Sequence, residues 1–155
     1  MEKIGFGVAP AKVDLRDYKA KFKGVATAAQ FPVAFELPMP AVKNQKNVGS
    51  CVAHSLSTVI EYFNNAETGE MKTMSTGYIY GNRRNSSWKE AGMRVRDALK
   101  NATTYGDVQK YLFPANIEVP EAIELFENTS KSLIPYGKVN RIAKFFKLTD
   151  TKSIK

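Results

Sequence analysis

The chain contains a single cysteine, Cys51, and a single histidine, His54. Ser50 is a favourable N-cap residue, so Cys51 is predicted to lie in the first turn of a helix. At that position the helix dipole and the free backbone N–H groups favour the thiolate, which is the nucleophile in covalent acyl transfer. A lone cysteine is more often a small buried apolar residue. Position alone therefore leaves both interpretations open.

The residues before Cys51 favour the nucleophile. The run Gln45-Lys46-Asn47-Val48-Gly49-Ser50-Cys51 resembles the active-site segment of papain-like cysteine peptidases, in which a glutamine precedes the cysteine by six residues. Such spacing suits acyl transfer, because an amide folded back over the helix N-terminus and the N–H of the nucleophile can together stabilise an oxyanion. The resemblance implies that Cys51 and Gln45 are catalytic. A small residue at Gly49, followed by Ser50, leaves room for the substrate backbone.

Further stretches resemble landmarks of bacterial and viral members of this family, in the same order along the chain. The stretch 91–99 resembles a segment that begins with glycines and runs into a helix, which implies that Gly92 binds the substrate backbone and Met93 borders the S2 pocket. The other landmarks are an arm, a helix and two dipeptides that each begin with an aromatic residue: Asp14–Tyr18, Ser75–Tyr80, Tyr105-Gly106 and Phe113-Pro114.

The chain departs from the family pattern at the residue that acts as the catalytic base. In the family a histidine and its orienting asparagine lie about 130–150 residues after the cysteine, which from Cys51 falls beyond Lys155. His54 is three residues after Cys51, and we interpret it as a packing or hydrogen-bonding residue. Because a thiol needs a partner for proton transfer, the isolated chain is expected to have no peptidase activity. The family tryptophan after the nucleophile is replaced by Val52.

Apolar spacing and capping residues predict four helices, over residues 50–64, 74–84, 93–104 and 119–126. In the first helix an apolar stripe is expected to face inward, formed by Ala53, Leu56, Ile60 and Phe63. In the third helix the residues expected to face inward are Val95, Ala98 and Leu99. Residues 31–42 should run extended because of their prolines, and residues 132–148 read as a strand or arm.

The resemblance implies a mainly α chain, the helical left lobe of a papain-like α+β fold, with an extended N-terminal arm and without the β-barrel lobe. Residues 1–40 would form the arm, which is similar to a pro-segment. Residues 41–131 would form the helical lobe. Residues 132–155 would be a strand or arm that leads towards the absent barrel.

Composition restricts the partners and the compartment. One cysteine excludes an internal disulfide, and no signal peptide or apolar run long enough to cross a membrane is visible, so a cytoplasmic or virion-associated location is expected. The net charge of +8 is spread along the chain without a nucleic-acid-binding motif. We therefore expect no nucleic acid, no membrane, no metal and no cofactor as partners.

Two functions are favoured over a third and weaker one, a basic nucleic-acid-binding domain. The first is the nucleophile-bearing part of a cysteine endopeptidase, whose partners are a polypeptide substrate and a second chain that carries the barrel lobe. The alternative is a non-catalytic structural or adaptor subunit, for example of a phage particle, built on the same lobe. Its exposed cleft face would then be covered by partners.

Overall fold

The computed structural model describes residues 36–83, 92–113 and 132–146, together with the backbone of Val8–Ala9. The predicted helix over 119–126 and the arm at 14–18 lie outside the described residues. Residues 36–42 of the predicted extended segment 31–42 are described, and residues 36–45 form neither helix nor strand.

The longest element is helix α1, Cys51–Thr68. It begins where Ser50 predicts, and Gly69 ends it in the left-handed conformation at φ 72°, donating its N–H to the carbonyl of Asn65. The helix runs one turn beyond the predicted end. Asn64 stays helical because its side chain donates to Asn140 Oδ1 at 3.1 Å, a tertiary contact that offsets its low helix propensity.

Three short elements surround α1. Helix α2, Thr76–Gly81, is capped by Ser75, whose hydroxyl accepts the N–H of Tyr78. Strand β2, Met93–Arg94, pairs in parallel with β1, Val8–Ala9. Helix α3, Val95–Thr104, follows directly. Both helices are shorter than predicted at their N-termini, since residues 93–94 belong to a strand and Met74 forms an isolated antiparallel bridge with Gln109.

The prediction of a strand or arm from residue 132 onward is wrong for its first part. Residues 132–139 are helical (α4), whereas residues 141–146 have no regular secondary structure. Gly137 packs its backbone against the turn at Gly106, an approach that a side chain would block. Tertiary packing thus offsets a low intrinsic helix propensity.

Two clusters of buried side chains form the core. The larger one joins α1, α2, α3 and β2, and the smaller one lies between α2, the turn after α3 and α4. The inward positions Ala53, Leu56, Ile60 and Ala98 are confirmed. Two inward predictions are wrong: Phe63 is 54% exposed and Val95 is 47% exposed. The smaller cluster contains Tyr78, Val108, Phe113 and Leu133.

Candidate active site

Cys51 is the first residue of α1, and its half-buried side chain packs against the larger apolar cluster. Its N–H belongs to the first turn, whose N–H groups have no acceptor within the helix. Gly49 and Ser50, directly before it, are buried. The thiol is therefore placed beside available hydrogen-bond donors at a helix N-terminus.

Gln45 folds back towards this helix start. Its Nε2 donates to the carbonyl of Val48 at 3.2 Å, and the N–H of Val48 donates to the carbonyl of Gln45 at 3.2 Å. Lys46 makes the turn possible by adopting φ 51°, and its N–H donates to Asn44 Oδ1. An amide nitrogen carries two hydrogens. The bond to Val48 uses one of these two hydrogens.

His54 is held by the residue that precedes the cysteine. Its Nδ1 lies 3.0 Å from the carbonyl oxygen of Ser50 and 3.2 Å from Ser50 Oγ. A carbonyl can only accept, so the hydrogen is assigned to Nδ1. The hydroxyl of Ser50 therefore does not cap α1, and the ring of His54, in a residue 8% exposed, has a local structural partner. This agrees with the interpretation of His54 as a hydrogen-bonding residue.

Met93 opens β2, which packs against α1, and Gly92 directly precedes this strand. Gly92 is buried with φ 103°, and its N–H donates to the hydroxyl of Tyr80 at 3.3 Å. Met93 is buried in the larger cluster, and its backbone is paired with Val8. The edge at Gly92 and Met93 is thus in contact with the N-terminal strand, and its role in substrate binding stays a prediction.

A buried polar cluster beneath the site escaped the sequence analysis. Lys43 Nζ lies 2.7 Å from Glu61 Oε1 and donates to Ser57 Oγ at 2.7 Å. Glu61 also accepts the N–H of Met74 at 2.6 Å. The signal was present, because Ser57 and Glu61 fall four and eight residues after buried Ala53, on the inward face of the helix.

Asp107 is fully buried, and Lys43, Glu61 and Ser57 are close enough to influence its pKa. Burial raises the pKa of its carboxyl well above the usual range, and Glu61 raises it further. The N–H of Val108, the ammonium of Lys43 and the hydroxyl of Ser57 act in the opposite direction. Among the described residues, its Oδ2 has no hydrogen-bond partner. A neutral carboxyl is the form that this environment favours.

Neither a group of possible metal ligands nor a membrane-spanning helix is found in the part of the chain that the structure describes. Within residues 36–83, 92–113 and 132–146, no three His, Cys, Asp or Glu side chains lie close enough to hold a metal ion. In the same ranges no helix has the length and apolarity needed to cross a membrane.

The fold is similar to that of a known protease. The structure superposes on the crystal structure of xylellain, a cysteine protease from Xylella fastidiosa, with a TM-score of 0.76 and 20% sequence identity. The similarity covers 97% of this chain and 61% of that chain. No family model and no curated protein matches the sequence. At this identity the comparison shows the fold, and the described residues, mainly helical and without a barrel, form the helical lobe of a papain-like fold.

Proposed function

We propose that this chain is the nucleophile-bearing part of a papain-like cysteine endopeptidase. The observation that supports the proposal is the turn at 45–48, in which Gln45 Nε2 donates to the carbonyl of Val48, three residues before the cysteine that opens α1. In the proposed site, a nucleophile and two oxyanion donors meet at one helix N-terminus. Gly49, Ser50, Gly92 and Met93 are proposed to contact the substrate.

The chemistry assigned to these groups is acyl transfer. The thiolate of Cys51 forms a bond to the scissile carbonyl carbon, and the C=O electron pair moves onto the oxygen. The second hydrogen of Gln45 Nε2 and the N–H of Cys51 stabilise that oxyanion. When the C=O bond re-forms, the amine leaves with a proton from an acid, and water later hydrolyses the thioester.

The acid and base must come from a second polypeptide segment in this proposal. His54 is the only histidine of the chain, and its Nδ1 is bonded to the carbonyl of Ser50. Xylellain is longer, since the similarity covers 61% of its chain. We propose a partner that carries the barrel lobe with a histidine and an asparagine, in the cytoplasm or in a virion. The isolated chain is expected to be inactive.

The N-terminal arm is proposed to act like a pro-segment. β1 pairs with β2 at Met93 and Arg94 and so occupies backbone groups beside Gly92. A substrate strand that used this edge would have to displace Val8–Ala9. Deleting residues 1–9 should therefore raise the affinity for a peptide ligand at this edge, whereas an unchanged affinity would separate the arm from the site.

A peptide aldehyde tests the site without needing the missing base, because its carbonyl adds a thiol to give a hemithioacetal. We expect a ¹³C-labelled aldehyde to form an adduct with the wild-type chain, observed by NMR. Cys51→Ala should abolish the adduct, and Gln45→Ala should weaken it by about tenfold or more through loss of one oxyanion donor. Gln109→Ala is the matched control and should change nothing. The proposal would be contradicted if iodoacetamide alkylated the wild-type thiol of Cys51 but the aldehyde formed no adduct with it.

The second candidate is a structural or adaptor subunit without activity. It is supported by Val59 and Phe63, which are 40% and 54% exposed on the outer face of α1. A partner that buries this face would stabilise an assembly. Intact-mass spectrometry of natively purified material distinguishes the candidates. A co-purifying polypeptide with a histidine and an asparagine favours the peptidase, and a single species with an unreactive Cys51 favours the subunit.

A further inference from the structure

Lys43 connects the loop that carries Gln45 to the body of the helix that carries Cys51. It lies two residues before Gln45, and its side chain is 17% exposed. Its ammonium contacts Ser57 Oγ and Glu61 Oε1, both at 2.7 Å and both on the inward face of α1. A charge this deeply placed is retained when its partners satisfy it, as they do here.

Some bonds of the loop 43–48 fix the shape of its turn, and others attach the loop to α1. Gln45 and Val48 bond to each other, which fixes the turn but does not attach it to α1. Val48, 9% exposed in the larger cluster, anchors the end next to Cys51. Lys43 anchors the other end. Gln45 is therefore held between one apolar and one ionic attachment.

The ammonium of Lys43 has two carboxyl groups in its surroundings, those of Glu61 and Asp107. Glu61 takes the ion pair and the N–H of Met74. Asp107 remains, with Oδ1 accepting the N–H of Val108 and Oδ2 buried without a hydrogen-bond partner among the described residues. A second buried negative charge would be costly.

We infer that Lys43 is a positioning residue for the loop 43–48, which carries Gln45 and which Lys43 fixes on α1 through Glu61 and Ser57. The inference rests on the proposed function only where it gives Gln45 the role of oxyanion donor. The attachment itself is a property of the loop. The attachment by Lys43 and the oxyanion role of Gln45 can therefore be refuted separately.

Hydrogen exchange tests the attachment. The variant Lys43→Met with Glu61→Gln removes both charges and keeps an acceptor for the N–H of Met74. We expect the amide of Val48 to exchange at least tenfold faster, while the amide of Ile60 in α1 keeps its protection. The matched control removes the exposed pair of Lys72 and Glu70, 3.0 Å apart, through Lys72→Met with Glu70→Gln, and should leave Val48 unchanged.

A double-mutant cycle tests the positioning role. In the Lys43→Met, Glu61→Gln background the aldehyde affinity should fall by about the factor seen for Gln45→Ala. Adding Gln45→Ala to that background should then cost little, because the donor is already displaced. The rate of alkylation by iodoacetamide, which forms no oxyanion, should stay at the wild-type value. Lys43→Arg should restore much of the affinity.

Each outcome has one meaning. Faster exchange at Val48 with a non-additive cycle supports the inference. Unchanged exchange in the folded double variant overturns it, whether or not the aldehyde binds. Faster exchange with no aldehyde adduct in the wild type overturns the proposed function alone. If the double variant does not fold, Ser57→Ala removes one partner of Lys43, and unchanged Val48 exchange in that variant likewise overturns the inference.

Discussion

Each face of α1 contains side chains that are unusual for their environment, although the inward face is mainly apolar. The inward face contains His54, Ser57 and Glu61, all buried. The outward face contains Val59 and Phe63, which are 40% and 54% exposed. Buried charged residues are rare unless paired, whereas single exposed apolar residues are common. The inward face is therefore the more informative of the two.

The inward polar groups are matched within the chain, but the outward apolar groups are not. Glu61 has Lys43 and the N–H of Met74, and His54 has Ser50. The ring of Phe63 makes an edge contact with Tyr62 at 5.4 Å between centroids, yet stays half exposed. The difference indicates that the inward face fixes loops around the site. The outward face is where an additional surface would gain most by packing.

The largest effect is expected on the inward face. Glu61→Ala leaves the ammonium of Lys43 buried without its carboxylate and the N–H of Met74 without its acceptor. Breaking a buried pair from one side typically costs about 3–5 kcal/mol. Glu67→Ala, at an exposed position of the same helix, should stay within about 0.5 kcal/mol. Urea unfolding followed by circular dichroism measures both, and equal midpoints would show that the inward pair contributes no net stability.

The next effect concerns the turn that brings Asp107 to this face. Gly106 and Gly69 adopt nearly the same backbone conformation, φ 70° and 72°. A Cβ on Gly106 would lie 1.8 Å from the carbonyl oxygen of Gly137, while Gly69 has open space. Gly69→Ala should cost about 1 kcal/mol for the left-handed conformation alone. Gly106→Ala should cost roughly 3 kcal/mol or more, since the clash adds to it.

The same unfolding experiment checks this pair of alanine variants. A similar loss of stability in both would mean that the contact of α4 with the turn is weak in solution. A much larger loss at Gly106 would confirm that α4 packs as closely as the structure describes. Thermal unfolding of both proteins at one pH gives an independent comparison of the two losses.

A smaller, pH-dependent effect should come from Asp107. Its pKa is raised in the folded state by burial. The stability that it contributes is therefore fully present below the unfolded pKa of about 3.9 and is lost as the pH rises through the folded value. Asp107→Asn is neutral throughout, so its stability relative to wild type should increase from pH 4 to pH 7. Asp97→Asn in α3 is the control, and an identical pH slope for wild type and Asp107→Asn would refute the assignment.

Local signals in the sequence predict the helix starts better than the helix ends. α1 begins directly after Ser50 and α2 directly after Ser75, each within two residues of the predicted start, whereas α1 ends one turn beyond the predicted residue 64. Ser75 acts through its own hydrogen bond to Tyr78, but the last turn of α1 has a tertiary contact between Asn64 and Asn140. The start of α3 was missed, because strand pairing of Met93 depends on Val8, which is distant in sequence.

The polar cluster shows why part of the site could not be predicted. Tyr105-Gly106-Asp107 reads as a turn, and turns are usually exposed. Asp107 is buried because α4 and Asn140 pack on that turn, with Asn140 Nδ2 donating to the carbonyl of Asp107 at 3.2 Å. Nothing near residue 107 in sequence indicates this. Gln45, by contrast, was selected from its spacing to Cys51; its Nε2 donates to the carbonyl of Val48, and its catalytic role stays a prediction.

The smallest effect is expected on the outward face, and it is the most direct test of the comparison. Val59→Ser with Phe63→Ser should change the free energy of unfolding of the isolated chain by no more than about 0.5 kcal/mol per site, since each side chain is already substantially exposed. Ile60→Ala, one residue away but 4% exposed, should cost about 2–5 kcal/mol. If the outward face is a docking surface, the serine variant should also weaken any association of the natively purified chain, as measured by sedimentation. A large loss of stability in the monomeric serine variant would mean instead that the outward face already packs within this chain, and the contrast between the two faces of α1 would disappear.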